Sequence, residues 1–116
     1  MKKILSFSLY NQNPKDNWGM IINCFLAPKI FPGWTVRVYK DDTIIPAVAE
    51  LLKTFEHVEI VEMPNIKSGS YKMLWRFLSA SSEIETDYNS IMLSYDADSY
   101  LSVRHKACVD SWLSSN

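Results

Sequence analysis

The segment Ser90-Ile91-Met92-Leu93-Ser94-Tyr95-Asp96-Ala97-Asp98-Ser99 runs a short, nearly continuous apolar stretch directly into two carboxylates. A strand with one wet face alternates apolar and polar residues, whereas a strand covered on both faces reads as an unbroken apolar run. Residues 90–95 therefore predict the fourth strand of a parallel sheet, with Asp96 and Asp98 in the loop at its carboxyl end.

The same reading extends toward the N-terminus. Residues 4–10 form an apolar, partly β-branched first strand that stops at Asn11-Gln12-Asn13-Pro14, a turn signal. Asp16 or Asn17 can cap the helix that follows. Its apolar residues Trp18, Ile21, Ile22, Phe25 and Leu26 fall at i, i+3, i+4, i+7 and i+8, the spacing of a buried stripe. Pro28 should kink or end that helix and Pro32-Gly33 should stop it. Thr35-Val36-Arg37-Val38-Tyr39 predicts strand two, closing on Asp41-Asp42. Pro46 opens a short helix through Leu51, Leu52 and Phe55, and Val58-Glu59-Ile60-Val61 predicts strand three. After a loop over 64–70, a helix is expected near 71–81. Leu74, Phe77 and Leu78 share one of its faces, with Trp75 beside them. A last helix over 103–113 should turn Ala107, Cys108, Val109 and Trp112 to the core.

Strand and helix thus alternate four times. That pattern predicts a three-layer, Rossmann-like α/β domain: a parallel sheet of about four strands in the order 3-2-1-4, with right-handed crossovers and helices on both faces. One domain spans 1–116, since no repeat or linker divides the chain. The ligand crevice of such a sheet lies beyond the carboxyl ends of the strands, where the order reverses. Here that is between strands one and four, so Ser8, Tyr10 and Asn11 should meet Asp96 and Asp98.

Composition removes several alternatives. Hydrophobic residues make up 47% and charged residues 22%, ordinary values for a folded domain, and 116 residues can bury about 65% of their unfolded surface. The net charge of −1, with no basic run, argues against a nucleic-acid binder. Three glycines allow neither a P-loop nor a G-x-G-x-x-G turn. Two histidines and two cysteines cannot supply a zinc set with recognisable spacing. Polar residues interrupt the N-terminal apolar stretch before a secretion signal forms, and nothing approaches a membrane span, so a cytoplasmic setting is expected. Cys24 and Cys108 read as small buried apolar residues. Trp18 and Trp112 read as packing, the methionines as core filler, and His105 as surface.

Asp-x-Asp alone carries little, since seven aspartates produce it about 0.4 times per shuffled sequence. Its position gives it weight. Two carboxylates at a switch point can hold a hard divalent cation, Mg²⁺ or Mn²⁺, which completes its shell with waters and phosphate oxygens. In a chain without a glycine cradle, such a cation is the remaining way to hold a diphosphate.

At this point the sequence resembles the GT-A-fold glycosyltransferases, which carry a DxD motif after an apolar strand. More closely, an ordered set of segments resembles a small group of these proteins from bacteria and large algal viruses. The set comprises the residues 4–10, Pro32-Gly33-Trp34, Tyr39-Lys40-Asp41-Asp42, Met73-Leu74-Trp75-Arg76-Phe77 and Tyr95-Asp96-Ala97-Asp98-Ser99, then Arg104 and Trp112. The resemblance implies a GT-A-like domain that binds a nucleoside diphosphate sugar, UDP- or GDP-linked, through Mn²⁺ or Mg²⁺. By that resemblance Asp98 is the direct metal ligand, and Asp96 reaches the metal through water or holds the ribose. Ser8, Tyr10 and Asn11 line the nucleoside pocket, and Asp41 or Asp42 approaches the base or ribose. Arg76 and Arg104 pair with phosphate. Each residue keeps a plainer alternative: a solvated helix face for Arg76, a turn for Asp41-Asp42, packing or rim for Tyr10.

No general base for an inverting transfer stands out. Glu83, Glu85 and Asp87 precede strand four and fall off the predicted crevice, and the residues 99–116 are mostly spent on one helix. The expectation is therefore the donor half of a glycosyltransferase. A truncated chain, a half-domain completed by a partner and a non-catalytic nucleotide- or protein-binding module all remain open. A metal-dependent phosphatase is disfavoured, because its aspartate pair follows the first strand. Strand four would be an exposed apolar edge, which predicts a homodimer covering 90–95.

Overall fold

A computed structural model describes residues 2–64, 72, 74–78, 91–97 and 99–115. Four strands, β1 (Lys3–Leu9), β2 (Thr35–Lys40), β3 (Val58–Glu62) and β4 (Ile91–Ser94), form one all-parallel sheet in the order β3-β2-β1-β4. The architecture is α/β and Rossmann-like, with the strand order read from the sequence. Among the described residues three α-helices accompany it: α1 (Pro14–Ile30), α2 (Pro46–Leu52) and α3 (Val103–Ser114).

β1 is one of the two inner strands, and its register explains its composition. Leu5 lies between Val36 of β2 and Leu93 of β4, and Phe7 lies beside Val38. Leu5, Phe7 and Leu9 point into a core shared with Met20, Ile21, Cys24 and Ala27 of α1, Val48 and Leu52 of α2, and Leu101 and Val109. The alternate residues Ser6 and Ser8 are buried on the other face, where a 3-10 turn (Trp75–Phe77) lies against β1. Buried hydroxyls need partners, and both serines find one there. Ser6 Oγ donates to the Arg76 carbonyl at 2.5 Å, and the Arg76 N–H donates to Ser8 Oγ at 2.8 Å. On β2 and β3, paired positions carry opposite charges: Arg37 meets Glu59 at 2.8 Å and Lys40 meets Glu62 at 2.8 Å.

The helices depart from expectation in informative ways. Asn13, not Asp16 or Asn17, caps α1, its side chain accepting the Lys15 N–H at 3.0 Å, and Pro14 occupies the first turn. Pro28 does not end α1. It removes one donor in the last turn, and the Phe31 N–H still reaches the Ala27 carbonyl at 2.7 Å. A turn follows in which Gly33 adopts φ +85° and the Trp34 N–H donates to the Phe31 carbonyl, a combination that favours glycine.

The buried face of α1 is also one residue away from the apolar stripe. Asn17, Met20, Ile21, Asn23, Cys24 and Ala27 face inward, while Trp18, Ile22 and Phe25 are exposed, Phe25 at 63%. Two asparagines take core positions, where the polar side chain of each is satisfied by backbone groups of neighbouring loops. Asn17 accepts the Ile45 N–H and donates to the Asn11 and Asn13 carbonyls. Asn23 serves the loop after β4 in the same way.

On α3 only Val109 is buried. Ala107, Cys108 and Trp112 are exposed, Trp112 at 60%, so the expected inward face is corrected. The expected face of Leu74, Phe77 and Leu78 is likewise exposed, and Trp75 takes the buried place against the sheet. The remainder of the helix expected over 71–81, the loop residues 65–70, and Glu83, Glu85, Asp87 and Ser90 lie outside the described residues. No helix among the described residues is long and apolar enough to cross a membrane.

Candidate functional site

Where the strand order reverses, between the carboxyl ends of β1 and β4, a pocket of about 90 Å³ opens. It is lined by Ser8, Leu9, Tyr10, Asp16, Arg76, Asp96 and Ala97. Each element delivers its residue for a local reason. β1 ends at Leu9 and leaves Tyr10 at the rim. α1 starts at the same edge of the sheet, so Asp16 falls in its first turn, where the helix dipole favours a carboxylate. β4 is carried one residue further by the Tyr95 N–H donating to the Ser6 carbonyl at 3.1 Å, which sets Asp96 beside the end of β1.

Arg76 enters from the opposite face of β1. Its backbone is tied to Ser6 and Ser8, and its guanidinium Nη1 meets Asp96 Oδ1 at 2.5 Å. The Arg76 side chain is 19% exposed and that of Asp96 is 59% exposed. Arg76 Nε is buried with no hydrogen-bond partner among the described residues. Tyr10 stands edge-on to Trp75, ring centroids 6.3 Å apart. Burial, and next the Asp16 carboxylate, push the Tyr10 hydroxyl above its ordinary value; Arg76 and Lys72 pull it the other way. The phenol is therefore a neutral donor at physiological pH.

Four residues singled out in the sequence, Ser8, Tyr10, Arg76 and Asp96, come together here. The others are placed elsewhere. Asn11 takes φ +61° in the loop after β1, and its backbone N–H donates to Thr43 Oγ1 at 2.7 Å while its side chain accepts the Asn13 N–H. Asp41 is fully buried below the loop after β2, ion-paired with Lys72 at 2.6 Å. It also accepts the Thr43 hydroxyl and N–H. Asp42 is exposed in that loop, and Arg104 is exposed in the first turn of α3. Neither lines the pocket. Asp98 lies outside the described residues.

Asp16 is the lining residue that sequence reasoning treated only as a helix cap. The available signal was topological, because a helix that begins where β1 ends must present its first turn to the same crevice. Asn23 was missed for the opposite reason: a polar residue inside a helix offers no sequence cue that it reaches a loop more than seventy residues away.

Among the described residues no group of three or more His, Cys, Asp and Glu comes together to hold a metal ion. The carboxylates of Asp16 and Asp96 do line one pocket, and hard oxygen donors of this type suit Mg²⁺ or Mn²⁺, which take one or two carboxylates and leave the remaining positions to water and phosphate. No protein-family model matches the chain, no curated protein matches it and no solved structure matches it.

Proposed function

We propose that the chain binds a nucleoside diphosphate sugar at the β1–β4 switch point through a divalent cation, as a metal-dependent glycosyltransferase or the donor half of one. The observation that carries this reading is the convergence of an arginine fork and two carboxylates, Arg76, Asp16 and Asp96, on one pocket at the carboxyl edge of a parallel sheet. In sheets of this type ligands bind at that edge. Arginine's planar donors match phosphate oxygens. Tyr10 contributes an aromatic face and a neutral hydroxyl beside the base or ribose, and Ser8 helps to seat Arg76. Asp96, with Asp98 two residues later in the sequence, is the proposed holder of Mn²⁺ or Mg²⁺. Such a cation, when bound, neutralises negative charge developing on a departing diphosphate.

Thermal shift with UDP- and GDP-sugars, with and without Mn²⁺, tests the reading. At a hundred times Kd a ligand adds about 2.7 kcal/mol, several degrees for a domain of this size. A shift that requires Mn²⁺ and is lost in Asp98→Asn supports it; no shift with any donor, or one that survives Asp98→Asn, overturns the metal site. A binding module without turnover is the second reading. It is favoured by the Arg76–Asp96 pair, in which the pocket's arginine and one of its acids already satisfy each other. Release of free sugar or its transfer from the donor that gives the shift separates the two.

A further inference from the structure

The pocket is smaller than the ligand proposed for it. About 90 Å³ holds a few waters at about 30 Å³ each, whereas sites that enclose a ligand start at roughly 300 Å³. The Arg76–Asp96 contact at 2.5 Å joins two of its walls. The two partners differ in what holds them. The Arg76 backbone is fixed to β1 at both its N–H and its carbonyl, by Ser8 and Ser6, so its side chain is the part left to reorient. Asp96 sits on the loop after β4 with most of its carboxylate in water. Asp96 engages the guanidinium at Nη1 and leaves the buried Nε without a partner among the described residues. A buried donor without a partner is costly, and a ligand that supplies an acceptor removes that cost.

We infer that Asp96 is an internal stand-in for the anion: its carboxylate occupies the Arg76 fork and holds the pocket shut, and a divalent cation that takes the Asp96 carboxylate releases Arg76 to bind a diphosphate. This latch rests on the cation–diphosphate reading above and adds a rule to it. Cation and Arg76 compete for one carboxylate, and Asp96 and diphosphate compete for one guanidinium. Cation and anion therefore bind together more readily than either binds alone, and by linkage the coupling is reciprocal. An ion pair whose acid is mostly in water is weak enough for a ligand to displace.

The test uses inorganic pyrophosphate in EDTA and, separately, Mn²⁺ alone, each titrated calorimetrically into the wild type, Asp96→Asn and Arg76→Gln. Melting curves establish that the variants are folded, and Asp96→Ala replaces Asp96→Asn if the amide itself pairs with Arg76. Removing the stand-in should raise metal-free pyrophosphate affinity by up to about fivefold. Arg76→Gln should lose pyrophosphate binding and bind Mn²⁺ more tightly than the wild type. Pyrophosphate affinity in both Asp96 variants no higher than in the wild type overturns the latch, even if sugar nucleotides bind with Mn²⁺. A gain in pyrophosphate affinity without any sugar-nucleotide shift supports the latch and removes the donor reading instead.

Discussion

Asn23, in the middle of α1, holds the loop that leaves β4 by hydrogen bonds to both kinds of backbone group: its Oδ1 accepts the Leu101 N–H at 2.9 Å, and its Nδ2 donates to the Ala97 and Ser99 carbonyls at 3.2 and 3.0 Å. The side chain is fully buried. The loop that carries Asp96 and Ala97 is thus positioned by a helix more than seventy residues earlier in the chain.

Replacing Asn23 by Leu should destabilise the domain by about 3 kcal/mol, because three backbone groups lose their partner and at least some remain buried. Urea unfolding measures it. A loss within about 0.5 kcal/mol would mean that the loop finds other partners. The same variant should weaken any ligand of the β1–β4 pocket, since Ala97 lines it.

The Asp41–Lys72 pair makes stability depend on pH. Burial alone would raise the Asp41 carboxyl, but Lys72 and the two Thr43 donors outweigh it and hold the group below its usual value. A carboxylate depressed in the folded state stabilises fully above its unfolded value, near pH 4, and loses that contribution as pH falls through the lower folded value. Stability of the wild type should therefore drop below about pH 4. Asp41→Asn should cost about 3 kcal/mol at pH 7 by removing the carboxylate charge that buried Lys72 faces at 2.6 Å, with a flatter acid limb in chemical denaturation.

The two thiols should differ sharply in reactivity. Burial pushes Cys24 up to about 12, whereas Cys108 is exposed on α3. At pH 8 a thiol reagent should label Cys108 rapidly in the native protein and reach Cys24 only on unfolding. Mass spectrometry after a short pulse should find a single adduct, on Cys108.

The tryptophans invert the ranking that apolar spacing suggests. Trp75→Ala should cost about 3–5 kcal/mol, since the ring is buried against β1 and Tyr10. Trp112→Ala should stay within about 1 kcal/mol, because most of that ring is in water. Thermal or urea unfolding of the two variants decides between this ranking and its reverse.

How far the sequence alone reaches is visible in particular residues. The runs around Leu5, Val36, Ile60 and Leu93, each closed by turn residues, identify four strands and their order, because hydrophobic period and alternation with helices are local properties. That order in turn locates the crevice and brings Ser8, Tyr10 and Asp96 to it. Helix faces were less legible. Trp18, Ile22 and Phe25 are more apolar than Asn17 and Asn23, yet the asparagines are inside, because they hydrogen-bond backbone groups at Asn11, Ile45, Ala97 and Leu101, partners that only the folded arrangement brings to them.

The strands, their parallel order and the place where a ligand would sit follow from the amino-acid sequence, since hydrophobic period is a local pattern and right-handed strand–helix–strand crossovers leave few ways to arrange such strands. Tertiary structure alone decided which charges are available at that place. Asp41 is consumed by Lys72 and Arg76 is held by Asp96, while Asp16 is delivered by the start of a helix. The physical reason is that an ion pair depends on how close two charges come in space, a distance with no counterpart in residue spacing.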